Sequence, residues 1–156
     1  MTVQESSHIT NVAFEGPDKS GKSTLIQEVN RLSNYRLFCV DRSFASGWVY
    51  DRITGRRDRT EQIVKSAKEL SRLTDTLFVN VYLRGDREVL AQRIREHDEF
   101  SEQRLLHLDQ MIALFDEYAT QIDPLPHMII DTSASTIEES AREIIAQISK
   151  YEEHNN

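Results

Sequence analysis

Residues Gly16-Pro17-Asp18-Lys19-Ser20-Gly21-Lys22-Ser23 meet every fixed position of the pattern G-x-x-x-x-G-K-[ST]. Each residue type has a physical job there. Glycines let successive backbone N–H groups turn inward around phosphate oxygens. A helix opening after them adds its positive end. Lys22 can reach the β and γ oxygens, and the Ser23 hydroxyl can ligate Mg²⁺. The rival explanation is a glycine turn that merely opens a helix. The context counts against it: Ile9 to Phe14 reads as a strand running into the loop, and Leu25, Ile26, Val29 and Leu32 give a helical face after it. The pattern predicts a nucleoside-triphosphate site.

The elements that must position this loop follow from periodicity. Leu37 to Val40 is a short apolar run ending at Asp41, most simply a buried parallel strand. A ragged helical stretch follows over 44–53, then the polar break 54–58 and a helix marked by Ile63, Val64, Ala67 and Leu70. Leu77 to Leu83 is the clearest strand, and Val89, Leu90 and Ile94 carry the next helix. Residues 97–101 break the pattern with charge. Leu108 through Ile122 then reads as one long amphipathic helix, stopped by Asp123-Pro124-Leu125-Pro126. Met128 to Ile130 is a last strand. Ile137 to Ile148 marks a last helix, with Thr136-x-x-Glu139 at capping-box spacing, before a polar tail over 151–156 expected to fray. Strands alternating with helices predict an α/β fold, a small parallel sheet of about four to five strands covered by helices on both faces. Ligands bind such sheets at the carboxyl ends of the strands, where Asp18, Asp41, Arg84 and Asp131 should gather.

Composition narrows the class. The chain has 156 residues, a net charge of −7 and 38% hydrophobic residues. One domain, over 1–150, is expected. The negative charge argues against non-specific coating of nucleic acid or of anionic membrane. A single cysteine, Cys39, leaves no internal disulfide framework and no cysteine-built zinc site. No apolar run approaches the ~18 residues of a membrane span, and the start lacks the basic and apolar regions of a leader, so a cytoplasmic protein is expected.

The run Phe14-Glu15-Gly16-Pro17-Asp18-Lys19-Ser20-Gly21-Lys22-Ser23-Thr24 closely resembles the phosphate loop of the thymidylate kinases, F-E-G-x-D-x-x-G-K-S-T. Asp41-Arg42-Ser43 resembles their Asp-Arg pair and the Glu-Arg-Ser of the deoxynucleoside kinases. Arg93-Ile94-x-x-His97-Asp98-Glu99 falls where both families carry an arginine-bearing lid, here about 93–103, and Asp131-Thr132-Ser133 resembles their adenine-touching loop. The resemblance implies a P-loop NTPase three-layer fold and ATP bound on Gly16 to Thr24 with Thr132 and Ser133. Lys22, Lys19, Arg93 and Arg95 would then neutralise charge on the transferring group. Members of this type are often dimers, so a homodimer is implied as well. One departure stands out. Only ten residues lie between Asn30 and Asp41, and the family's Arg-Glu-Pro acceptor segment is missing. The trimmed length would suit a phage enzyme.

Several candidates keep a structural alternative. Asp41 can hold Mg²⁺ together with Ser23, act as general base, or simply cap a helix. Arg42 can clamp an acceptor phosphate or form a structural ion pair. Arg42, Arg52, Arg56, Arg57 and Arg59 crowd into eighteen residues. They read equally as a site for a phosphate or a short piece of nucleic acid, or as a solvated surface paired with Asp51 and Asp58. Phe44 and Trp48, at i and i+4, share a helical face that either stacks on an acceptor base or joins the core. No histidine is assigned a role.

The expected function is an ATP- and Mg²⁺-dependent kinase acting on a (deoxy)nucleoside monophosphate, with Asp41, Arg42, Phe44, Trp48 and Arg52 at the acceptor. The rival is a hydroxyl-directed kinase, acting on a nucleoside, a small alcohol or a nucleic-acid hydroxyl, with Asp41 as its base. A regulatory NTP-binding switch ranks below both, because the strand Leu77 to Leu83 ends in Arg84 rather than in an aspartate.

Overall fold

A computed structural model describes residues 9–97 and 101–154, with the side chain of Ser101 outside that description. Four strands form one parallel sheet: β1 (Ile9–Glu15), β2 (Phe38–Asp41), β3 (Thr76–Arg84) and β4 (His127–Asp131), in the order β2-β1-β3-β4. Val12 of β1 lies opposite Cys39 on one side and Val79 on the other. The chain steps outward from β1 to β2 and then crosses to β3 on the other side of β1. This reversal opens a crevice at the carboxyl ends of the strands.

The helices are α1 (Lys22–Leu32), α2 (Phe44–Ile53), α3 (Thr60–Ser71), α4 (Arg87–His97), α5 (Ser101–Glu117) and α6 (Ile137–His154). They cover both faces, as expected of a doubly covered parallel sheet. On one face Val12, Phe14, Val79 and Val81 pack against Leu25 and Val29 of α1 and Ile144 and Ile148 of α6. On the other, Tyr82 meets Trp48 and Val49 of α2, Ile63 of α3 and Phe115 of α5. A smaller cluster joins Leu90 and Ile94 of α4 to Leu108 of α5.

Three expectations are corrected. The run 37–40 is no fully buried strand: β2 lies at the sheet edge, so Leu37 is buried while Phe38 is 60% exposed. The helix expected over 108–122 already begins at Ser101 and finishes in a π-helical turn, Tyr118–Ile122, closed by Asp123 N–H donating to Tyr118 O at 2.8 Å. The wider turn delivers the Asp123 carboxylate to Asn80 Nδ2 at 2.9 Å and Tyr82 OH at 2.5 Å. The tail from Tyr151 does not fray where the structure describes it. Through His154 it belongs to α6, tied down by Tyr151 OH donating to His127 O at 2.8 Å and by Glu152 accepting from Thr10 at 2.8 Å and Arg36 at 2.6 Å. No helix of the described residues is long and apolar enough to cross a membrane.

Candidate functional site

The loop between β1 and α1 has the backbone its composition dictates. Gly16 has φ 150°, and a Cβ there would sit 2.8 Å from Leu83 O of β3, so only glycine lets the loop lie against the neighbouring strand. Gly21 precedes α1 at φ 91°, and Lys19 between them has φ 63°. Lys22 opens the helix buried, its Nζ donating to Gly16 O at 3.0 Å, Pro17 O at 2.9 Å and Ser20 Oγ at 3.5 Å. Burial, with Arg42's charge nearby, lowers its pKa to about 8. The ammonium therefore waits inside the loop on carbonyl oxygens that phosphate oxygens can replace.

A cavity of about 610 Å³ opens over this loop. Its floor is the loop from Asp18 to Thr24; Asp41 and Arg42, at the end of β2, form one wall, and Arg93 and Arg104 reach in from α4 and α5. Arg93 donates to Lys19 O at 3.0 Å. Asp18 is the hub of this arrangement, because its two carboxylate oxygens accept from Arg42 and from Arg104 respectively. Arg42 also donates to Tyr50 OH at 2.6 Å. Asp41 is exposed toward the cavity, and its side chain makes no hydrogen bond or ion pair among the described residues. At the far end, Thr132 Oγ1 donates to Arg84 O at 3.3 Å and lines the cavity with Ser135 and Ile137.

The structure thus brings together Lys19, Ser20, Lys22, Ser23, Thr24, Asp41, Arg42, Arg93 and Thr132. Gly16 and Pro17 act from beneath, through the carbonyls that hold Lys22. Other expected site residues are elsewhere. Trp48 is fully buried among α2, α5 and Tyr118, its indole N–H donating to Thr60 Oγ1 at 2.8 Å, so it has no surface to offer an acceptor. Phe44 packs against the same cluster. Arg52 lies over the Trp48 ring at 3.7 Å and donates to Thr60. Arg59 is spent on the buried Asp51, at 2.8 and 2.9 Å, and holds that carboxyl below its ordinary range. The arginine cluster beyond Arg42 is thus largely paired surface. Ser133 donates to Asp131 Oδ1 at 2.6 Å rather than lining the cavity, and Arg84 pairs with Asp116 at 2.6 Å. Arg95 is exposed and lies outside the cavity lining. Of the expected lid, 93–97 end α4 and 101–103 begin α5, while 98–100 lie outside the described residues.

Arg104 was not legible as a site residue. It stands one position past the expected lid, and its only signal is that it is the next arginine after Arg95. As for a metal, no group of three or more His, Cys, Asp or Glu among the described residues can hold one unaided. The Ser23 hydroxyl and Asp41 carboxylate on one cavity are hard oxygen donors. With the remaining positions filled by phosphate oxygens and water, they fit Mg²⁺.

No family model matches the chain, and no curated protein matches it. Its fold has clear counterparts among solved structures. The YorR protein from Bacillus subtilis, in complex with phosphorylated GDP, superposes with a TM-score of 0.72 at 20% identity, over 94% of this chain and 98% of that one. The deoxyadenosine kinase from M. mycoides with bound dCTP superposes at 0.62 and 12% identity, over 90% of this chain and 99% of that one. The chain has the P-loop α/β fold.

Proposed function

We propose that this protein is a P-loop kinase that moves the γ-phosphoryl group of ATP to a (deoxy)nucleoside monophosphate, in the manner of the thymidylate kinases. The observation that carries the reading is the convergence of Lys22, Arg42, Arg93 and Arg104 on one cavity, two of those guanidiniums meeting on Asp18. A net-negative chain concentrates positive charge where two anions would have to be brought together. The nucleotides in the two fold counterparts, GDP-derived and dCTP, agree with a nucleotide-handling site.

Lys22 and the α1 N-terminus receive the donor phosphates, and Lys19, Arg93 and Arg104 offset charge on the group in transit. Ser23 and Asp41 would hold the magnesium ion, which supplies charge neutralisation across the β and γ phosphates when bound. Arg42 faces the acceptor phosphate, where a guanidinium suits bidentate contact. Such an acceptor is largely ionised near neutrality, with a second pKa of about 6, and needs no strong base.

A second reading rests on Asp41, exposed to the cavity with no hydrogen-bond partner among the described residues to disarm it. It suits a general base for a hydroxyl acceptor. Incubation with γ-labelled ATP, Mg²⁺ and a panel of deoxynucleosides, deoxynucleoside monophosphates, 5′-hydroxyl oligonucleotides and hydroxymethylated DNA separates the two. Label on a monophosphate, dTMP first, supports the proposal. Label only on a hydroxyl overturns it and makes Asp41 the base. Nucleotide binding with no transfer to any acceptor would leave a switch protein.

A further inference from the structure

Glu15 is the last residue of β1, fully buried, on the sheet face that meets α2. A carboxylate there is costly unless both oxygens are hydrogen-bonded. Both are, and both to the start of α2: Ser43 N–H donates to Oε1 at 2.5 Å and Ser46 Oγ to Oε2 at 2.5 Å. Ser43 is the N-cap of α2 and its own side chain makes no capping bond. In a capping box the third helical residue reaches back to the N-cap amide. Here Glu15 stands between those two positions and bonds each of them, a cap supplied from 28 residues away.

The residue just before this cap is Arg42, at φ 72°, a left-handed conformation that a side chain bearing a Cβ holds only when its surroundings over-determine it. Two consecutive amides do so. Arg42 N–H donates to Phe14 O at 3.0 Å, and Ser43 N–H to Glu15. The kink ends β2 and turns the Arg42 guanidinium back over the loop that follows β1, where Asp18 and Tyr50 meet it. Without the second anchor the Ser43 amide loses its acceptor, and Ser43 keeps only the weaker 3.3 Å bond that its carbonyl accepts from Gly47 N–H. Glu15 lies beneath the loop and lines no part of the cavity; its hydrogen bonds go to the turn that carries Arg42, and Lys22 feels it only as a nearby charge.

We propose that Glu15 is a positioning residue: its buried carboxylate holds the 41–43 turn in the one conformation that presents Arg42 to the acceptor. The assignment of Arg42 to the acceptor rests on the function proposed above; the holding of the turn does not.

The test uses the full chain with Glu15→Ala, Glu15→Gln, Ser46→Ala, Arg42→Ala and the Glu15→Ala/Arg42→Ala double variant. ATP and dTMP are the substrates. Glu15→Ala is expected to raise the KM for dTMP at least tenfold and to leave that for ATP within threefold. In the Arg42→Ala background the same change should add less than twofold, since partners in one chain of contacts are not additive. Glu15→Gln keeps an oxygen for the Ser43 amide and should stay within threefold of the parent. A Glu15→Ala effect that falls equally on ATP and dTMP, or that adds fully to Arg42→Ala, overturns the proposal. Should Glu15→Ala not fold, Ser46→Ala carries the test, with a rise of about threefold in the KM for dTMP alone; no rise overturns it. Should the parent phosphorylate no deoxynucleoside monophosphate of the panel, the functional reading fails by itself; should it prefer another than dTMP, that one replaces dTMP in the test. Hydrogen exchange then decides on Glu15: Ser46→Ala should accelerate exchange across 41–47 and leave α1 unchanged, and an unaltered 41–47 segment overturns the proposal.

Discussion

The two faces of the sheet are built from different chemistry. Beneath α1 and α6 the strands present Val12, Phe14, Val79, Val81, Met128 and Ile130, an aliphatic and aromatic surface with the buried Thr10, bonded to Glu152 of α6, at its edge. Beneath α2, α3 and α5 they present Glu15, Asn80 and Tyr82, each buried and each hydrogen-bonded. Apolar burial is strong but non-directional, so the first face holds the domain together and aims nothing. Buried polar groups impose direction because an unmade bond there is costly. On the second face they fix the turn that aims Arg42 and the π-helical turn that delivers Asp123. Both faces bury apolar side chains, and the second adds the polar bonds that set direction.

The sharpest break of that division would come from the aliphatic side. Ile144→Ala empties a fully buried position between α6 and the sheet, and should cost about 2–5 kcal/mol in denaturant unfolding while transfer per folded molecule is unchanged. A fall in specific transfer instead would show that this face also aims the site. Lys22→Ala, at the loop itself, should lower phosphoryl transfer about 10²–10³-fold with a melting temperature close to the parent's.

The pH dependence of stability tests the polar face. Burial raises the pKa of Glu15 from 4.5 to about 7, against the opposing pull of its bonds to Ser46 and Ser43 and of the charges on Arg42 and Lys22; Tyr82 and Tyr118 face it from β3 and the π-helical turn. Between these pH values the folded chain keeps a proton that the unfolded chain has released. The contribution of Glu15 to stability is therefore greatest below pH 4.5 and falls as the pH rises to 7, by about 3 kcal/mol in all. Denaturant titrations from pH 4.5 to 7.5 should show this decline in the parent and a flatter profile in Glu15→Gln. The smallest effect belongs to Arg52→Ala. Loss of its contact with Trp48 should cost about 0.5–1 kcal/mol, with the acceptor KM within twofold. A tenfold rise in that KM would return Arg52 to the acceptor site.

Legibility tracks how far apart the interacting residues are in the chain. The phosphate loop was readable because all its parts are contiguous and its strand and helix flank it directly. Asp41 and Arg42 were readable from their place after a strand. Phe44 and Trp48 were correctly put on one helical face, but i, i+4 spacing does not say what that face meets, and it meets α5 and the π-helical turn. Arg104 is joined to the site across 86 residues and Glu15 across 28, spans over which no local pattern announces a partner.

Periodicity and a contiguous glycine pattern are local properties of the chain, so the parallel α/β architecture and the phosphate-loop motif could be read from the residues alone. Which of the many arginines enter the cavity, that Asp18 holds two of them, and that a buried carboxylate bonds the turn carrying one emerged from the folded chain. Those outcomes depend on which helices pack on which face of the sheet, and packing is settled by contacts between residues far apart in the chain.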